Sequence, residues 1–396
     1  MLRATVERLT DALEQLDAKL LSLYPRADRA ENDNSALAIV PFGPPRMLLG
    51  ALPAALAVRA GRALGITLPY ALLPEPVRAI QRADLVIDLS GISFVDGRGL
   101  GILVYNITVA LLPALLGTKS MKFAQAMGPF ETPLNRAAAR LCLRCVDRIV
   151  ARGRITEKHL LDLGVPRGKV HQFTDAAFMM KVSGETRQRA AQLLGTAPTG
   201  DRPWVAVSAS SVVDDYCTAN GRSYPALMAR FIDWLIQEKG RRVLLLAHST
   251  LPESSSKKNN DLPTCRAVHE LLRHPEHCFF VEGLHHADSL RALIGHCDLL
   301  VASRFHAMIS GLSMGVPSLL IGWSHKYIEV LEAFDLQHFA LDYAEVDFDT
   351  LARRFTELDE RAEALRAQIA ARLPEVTESS FGNLRVALEL LNEAKV

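Results

Sequence analysis

Residues 297–323 read CDLLVASRFHAMISGLSMGVPSLLIGW. The run CDLLVA is short and apolar and ends in a polar turn, which is the chemistry of a buried strand. HAMISGLSMG has helical spacing, Gly315 and Pro317 stop it, and PSLLIGW is a second apolar strand. A strand–helix–strand unit of this kind belongs to a parallel sheet, whose strands need such a crossover. Ser303 stands where the helix begins and is expected to cap it. Arg304 and His306 then lie at a strand-to-helix junction, beside backbone N–H groups without helical partners and the positive end of the helix, which suits an anion. Lys326 follows the second strand. In a parallel sheet the loops after both strands open onto the same edge, so the three basic residues are expected to converge. Taken singly, Arg304 reads more simply as a solvated loop residue and His306 as a satisfied helix-start histidine.

Outward from this unit the alternation continues. WVAVSAS, RVLLLAHST and HCFFVEGL read as strands, with PALMARFIDWLIQEKG, TCRAVHELLRH and ADSLRALIG as helices. Earlier in the chain ALAIVPF, DLVIDLSG, MKFAQAMG and RIVAR form another strand series separated by longer helical stretches. Both sets have the pattern of parallel sheets covered on two faces. The connecting GTAPTGDRP, rich in Gly, Pro and Thr, reads as a loop. The expected class is α/β, with two Rossmann-like doubly wound domains facing a central cleft that opens at the carboxyl ends of the strands. The boundaries read as an N-terminal domain over 1–180, a linker region over 181–203, a C-terminal domain over 204–370 and a C-terminal helix over 371–396. ATVERLTDALEQLDAKLLSLYP carries helical periodicity with no strand before it, so the first strand of the N-terminal domain reads as missing.

Two domains suit a length of 396 residues. The 45 Lys and Arg nearly balance 44 Asp and Glu, and a net charge of +1 gives no electrostatic footprint for nucleic acid. Cys142 and Cys145 form one C-x-x-C inside the helical ARLCLRCVDR, with no second pair at zinc spacing. Ordinary thiols in a reducing cytoplasm are the expectation. ILVYNITVALLPALLG is apolar, but Asn106, Thr108 and Pro113 interrupt it, and it is shorter than the roughly 20 residues of a membrane span. It reads as a buried helix, and peripheral contact with the inner face of the cell membrane stays open. No metal and no cofactor is expected. Asp347 and Asp349 in EVDFDT read as helix-capping, His285 and His286 as loop residues, and SSSKKNND as a polar loop with solvated lysines. There is no G-x-G-x-x-G and no P-loop.

The order S-R-F-H-A, G-V-P, H-K-Y resembles the signature of the polysaccharide pyruvyl transferase family, whose members carry R-x-H at the head of this helix, a G-V-P turn and a lysine after the next strand. Other pieces agree in order. ADLVIDLSG leads into a glycine turn at Gly91, and AQAMGPF, with Gln125, resembles a Q-x-x-G-P loop. VARGRITEKHLLDLGV resembles an arginine followed four residues on by Ser or Thr, which selects Arg152 with Thr156 over Arg154, and TDAAF resembles an Asp-x-x-Phe. The resemblance covers residues 80 to 335.

The resemblance implies a GT-B-like fold and the transfer of pyruvate, as a ketal, from phosphoenolpyruvate to two hydroxyls of a sugar in a polysaccharide or a lipid-linked glycan precursor of the cell envelope. A donor with a phosphate and a carboxylate suits Arg and Lys. Protonation of its methylene carbon suits an imidazole. By resemblance His306 is the acid/base and Arg152 joins it in the catalytic set. Arg152, Arg304 and Lys326 hold the donor's anionic groups, and Gly91 and Gln125 bind substrate. The chain departs from the family where DLSGISFVDGRG replaces a run of glycines, and Ser90 and Ser93 narrow the approach there. The family's opening strand and glycine loop also lack a counterpart, which reads as a truncated start and leaves room for an inactive sugar-binding relative. A glycosyltransferase using a nucleotide sugar is the other alternative. It calls for a carboxylate on the ribose, and Glu282 is the candidate.

Overall fold

The computed structural model describes residues 2–30, 37–197, 201–250, 260–322 and 325–395. They fall into two compact units, residues 1–179 with 377–396, and residues 180–376.

The second unit is built on six parallel strands: β8 (Trp204–Ala209), β9 (Arg242–Ala247), β10 (Cys278–Val281), β11 (Leu299–Ala302), β12 (Ser318–Gly322) and β13 (Ala340–Asp342). Their spatial order is β10-β9-β8-β11-β12-β13. Counted within the unit this is 3-2-1-4-5-6, the Rossmann order, and the direction of winding reverses between β8 and β11. β8, β11 and β12 are buried along their whole length, which is why they read as continuous apolar runs. The stretch 181–203, expected as a linker, carries the helix Gly184–Gly195, which packs within this unit against the helix Ala287–Ile294.

In the first unit, β3 (Leu85–Asp88), β5 (Lys119–Met127), β6 (Arg148–Ala151) and β7 (Val170–Gln172) form a parallel sheet, with β4 (Ile92–Ser93) also on β5. One face is covered by the helices Leu100–Leu116, Pro133–Cys145 and Arg154–Asp162, through residues such as Leu103, Leu143 and Leu160. The other is covered by the helix Leu2–Ala12 and by the last turns of the helix Ala362–Lys395, through Leu9, Leu384 and Leu390. A third cluster joins the inner face of residues 46–63 to Leu112 and Leu116.

Two expectations need correction. The helical reading of residues 4–25 holds only to Ala12: β1 (Ala18–Ser22) follows and pairs in parallel with β2 (Leu37–Pro41), Ala18 opposite Leu37. Strand pairing there overrides local periodicity, so a strand does precede ALAIVPF. The terminal helix begins at Ala362 and runs through Pro374. Among the described residues no helix is long and apolar enough to cross a membrane.

Candidate active site

In the second unit the carboxyl ends of β8, β9 and β11 are tied together by one buried carboxylate. Asp261 has 0% exposure. It accepts N–H bonds from Ser211, just after β8 (2.9 Å), and from Ser249, just after β9 (3.0 Å). It also accepts from Arg304, just after β11, through Nε at 2.8 Å and Nη2 at 2.5 Å. Arg304 Nη2 reaches Ser211 Oγ as well, at 3.1 Å. The guanidinium is thus fixed by one edge at the point where the strand order reverses, and its Nη1 bonds to no described residue. Arg304 itself is the cap residue of the helix Phe305–Ser313 and makes no side-chain cap bond. Ser303, expected as the cap, instead shares a 2.7 Å hydrogen bond with the buried Tyr224 hydroxyl. The correction has a simple cause: the backbone at position 303 still belongs to the strand end, where Ser303 N donates to Ser208 O.

His306 is half-buried in the first turn of that helix. Its neighbour Phe305 meets Tyr327 edge-to-face at 5.4 Å, so the chain around 304–306 and the start of the helix His325–Glu332 adjoin, as the parallel topology requires. The Lys326 side chain lies outside the described residues. His248, after β9, completes the group. Its Nε2 is buried with no hydrogen-bond partner among the described residues. Burial first, then the positive fields of Arg291 and Arg304, presses its imidazole down to about 3. Unfolded, the ring takes up a proton near pH 6.5. Stability from this group is therefore complete above that pH and is lost as pH falls toward 3. Between pH 7 and pH 5 it accounts for about 2 kcal/mol. His248→Gln is expected to remove that share of the acid sensitivity in denaturant titrations at the two pH values; an unchanged difference would contradict the placement.

The first unit repeats the device. Arg152 follows β6 and forms a 2.8 Å ion pair with Asp175, both fully buried. Arg152 Nη2 donates to Ala124 O at 3.1 Å, and a Cβ built on Gly91 would stand 3.5 Å from that nitrogen. Gly91, Gln125 and Arg152 are thus brought together, since Arg152 N also bonds Gln125 O. Gln125, however, is committed internally. Its Oε1 accepts from Ser93 Oγ at 2.7 Å and its Nε2 donates to Asp88 O at 2.8 Å. It braces the turn from Asp88 to Ser93. Thr156 is buried and Arg154 exposed, in line with the spacing that separates Arg152 from Arg154.

Both arginines assigned to the donor's anions are ion-paired, Arg152 in a fully buried pair with Asp175 and the half-buried Arg304 with the buried Asp261. Asp261 and His248 were missed: Asp261 ends the polar run SSSKKNND, and only its position before Leu262-Pro263, a helix start, signals order there. Asp347 caps the helix Phe348–Glu360 by accepting from Thr350 N at 2.8 Å. Glu282 is exposed and paired with Arg266 at 2.6 Å. Among the described residues no group of three or more His, Cys, Asp or Glu side chains could hold a metal ion.

Two parallel-sheet units, the second in Rossmann order, define a GT-B-like α/β protein. Solved structures of that fold are similar to nearly the whole chain. They include a UDP-GlcNAc 2-epimerase from Listeria monocytogenes, described as putative (TM-score 0.58, 10% identity, 97% of this chain and 89% of that one). The UDP-GlcNAc 2-epimerase of Neisseria meningitidis bound to UDP-GlcNAc gives 0.56 at 9% identity, over 93% and 96%. Anabaena HepE in complex with UDP gives 0.53 at 12% identity, over 95% and 98%. At such identities the likeness concerns the fold. Residues 1–325 match the polysaccharide pyruvyl transferase family, and the chain belongs to it.

Proposed function

We propose that the protein transfers the pyruvyl group of phosphoenolpyruvate to two hydroxyls of a sugar, forming a ketal and releasing phosphate. The observation that carries this is the Arg304 guanidinium, held rigid by Asp261 at a helix start with His306 two residues on. A fixed planar fork with a free edge suits a carboxylate or phosphate. In the proposed sequence His306 delivers a proton to the donor's methylene carbon, leaving a cationic centre at C2. One sugar hydroxyl bonds to C2 and gives up its proton; the second then bonds to C2 as the C2–O bond to phosphate breaks. One hydroxyl proton in effect replaces that delivered to the methylene, and the other leaves with the phosphate. Lys326 is assigned to the donor's anionic groups. Arg152 keeps the anion-holding, catalytic role the family resemblance gives it, with Gly91 and Gln125 shaping its surroundings. The acceptor is a glycan, free or lipid-linked.

The second reading is transfer from a nucleotide sugar, favoured by structural neighbours solved with UDP and UDP-GlcNAc. Thermal protection separates the two. A ligand at 100 times its dissociation constant stabilises the folded state by about 2.7 kcal/mol. Phosphoenolpyruvate is expected to raise the unfolding temperature and UDP-glucose to leave it unchanged; protection by UDP-glucose alone would replace the first reading with the second.

A further inference from the structure

The first unit carries an outward face that its own core does not use. Residues 46–63 form one continuous helical rod, π-helical over Arg46–Ala51 and α-helical over Leu52–Ala63. Its inner side, Met47, Ala51, Ala55 and Val58, packs on the third hydrophobic cluster. Its outer side is also apolar. Leu49 is 83% exposed and Leu56 50% exposed; beyond the rod's end Leu64 is 75% and Leu72 80% exposed, with Ile66 between them. The chain folds back onto the rod there, Ile66 N–H bonding Gly61 O at 2.8 Å. Isolated exposed leucines are ordinary, but five exposed aliphatic side chains within residues 49–72 are not.

The charge of the same segment is one-sided. Residues 43–74 contain Arg46, Arg59 and Arg62 and no acidic residue. Arg46 and Arg59 form no ion pair with any described residue. In the following helix, Glu75–Arg82, Arg78 and Arg82 stand over the Tyr70 ring, at 5.8 and 4.7 Å. A second copy of this chain docked face to face would bring Arg46 and Arg59 against their own counterparts, and the first acidic residue, the exposed Glu75, lies beyond the segment at the start of the next helix. An anionic lipid surface answers both features: its headgroup phosphates match the guanidiniums, and its acyl boundary takes the leucines.

We propose that residues 46–72 dock the protein on the surface of an anionic bilayer, with Leu49, Leu56, Leu64, Ile66 and Leu72 entering the acyl boundary and Arg46 and Arg59 on headgroup phosphates. This surface is independent of which donor the protein uses. It would keep the protein where a lipid-carried glycan is found.

The test is co-sedimentation with vesicles of phosphatidylcholine containing phosphatidylglycerol, against vesicles of phosphatidylcholine alone. The wild-type chain is expected to pellet with the anionic vesicles, and less so at high salt because the headgroup attraction is screened. Leu49→Ser with Leu72→Ser is expected to abolish pelleting. Arg46→Gln with Arg59→Gln is expected to weaken it about thirtyfold, two surface cations' worth of attraction. All four side chains are exposed, so both double variants should keep the wild-type unfolding temperature. Wild-type protein left in the supernatant, equal binding to both vesicle types, variants that pellet like wild type, or a dimer in solution that Leu49→Ser dissolves would each overturn the proposal.

Discussion

Asp261→Ala is expected to destabilise the protein by about 3–5 kcal/mol, the cost of leaving one member of a buried ion pair alone. Two backbone donors, Ser211 N and Ser249 N, lose their acceptor at the same time. The carboxylate joins three strand ends, so its loss loosens the whole carboxyl edge of the sheet at the β8/β11 reversal. Unfolding temperature should fall on the order of 10 °C for a unit of this size. Adding Arg304→Met to Asp261→Ala should recover part of the loss, because the orphaned guanidinium is then gone. The double-mutant cycle checks this directly. A single Asp261→Ala variant that melts like wild type, or strict additivity of the two changes, would mean that the pair does not hold this edge.

The second large effect concerns chemistry. If His306 moves the proton, His306→Gln is expected to lower turnover by roughly a hundredfold or more, since an amide of similar reach cannot deliver a proton at neutral pH. Protection by phosphoenolpyruvate should persist in this variant, because the proposal gives the binding fork to Arg304. The fold should persist too, as His306 is only half-buried. Near-normal turnover in His306→Gln would return the histidine to an ordinary helix-start position.

Much of the second unit was legible because buried parallel strands are apolar on both faces. WVAVSAS, RVLLLAHST, CDLLVAS and PSLLIGW could hardly be read as anything else, and their helix breaks placed Arg304 and His306 correctly on the chain. β13 and β7, three residues each, carry too little pattern to stand out. β1 was hidden because AKLLS continues the spacing of a helix, and only its pairing with β2 makes it a strand. The electrostatics of the site were legible in part. The sequence marks Arg152 and Arg304 as strand-end cations, but their partners are remote: Asp261 stands 43 residues before Arg304. Local pattern does not reveal that a carboxylate at the end of SSSKKNND turns inward and becomes fully buried. Gln125 shows the converse. The Q-x-x-G-P pattern singles it out, but only three-dimensional packing reveals its bonds to Ser93 and Asp88.

The central claim is the donor, and phosphate release tests it most directly. Purified full-length protein is incubated with phosphoenolpyruvate and a panel of free sugars and lipid-diphosphate-linked glycans, and inorganic phosphate is measured beside mass spectrometry of the acceptor. The expected result is phosphate released only when an acceptor is present, in equal amount to a pyruvyl ketal, and lost in His306→Gln. Release of UDP from a UDP-sugar by the same preparation, with phosphoenolpyruvate left intact across the panel, would contradict it.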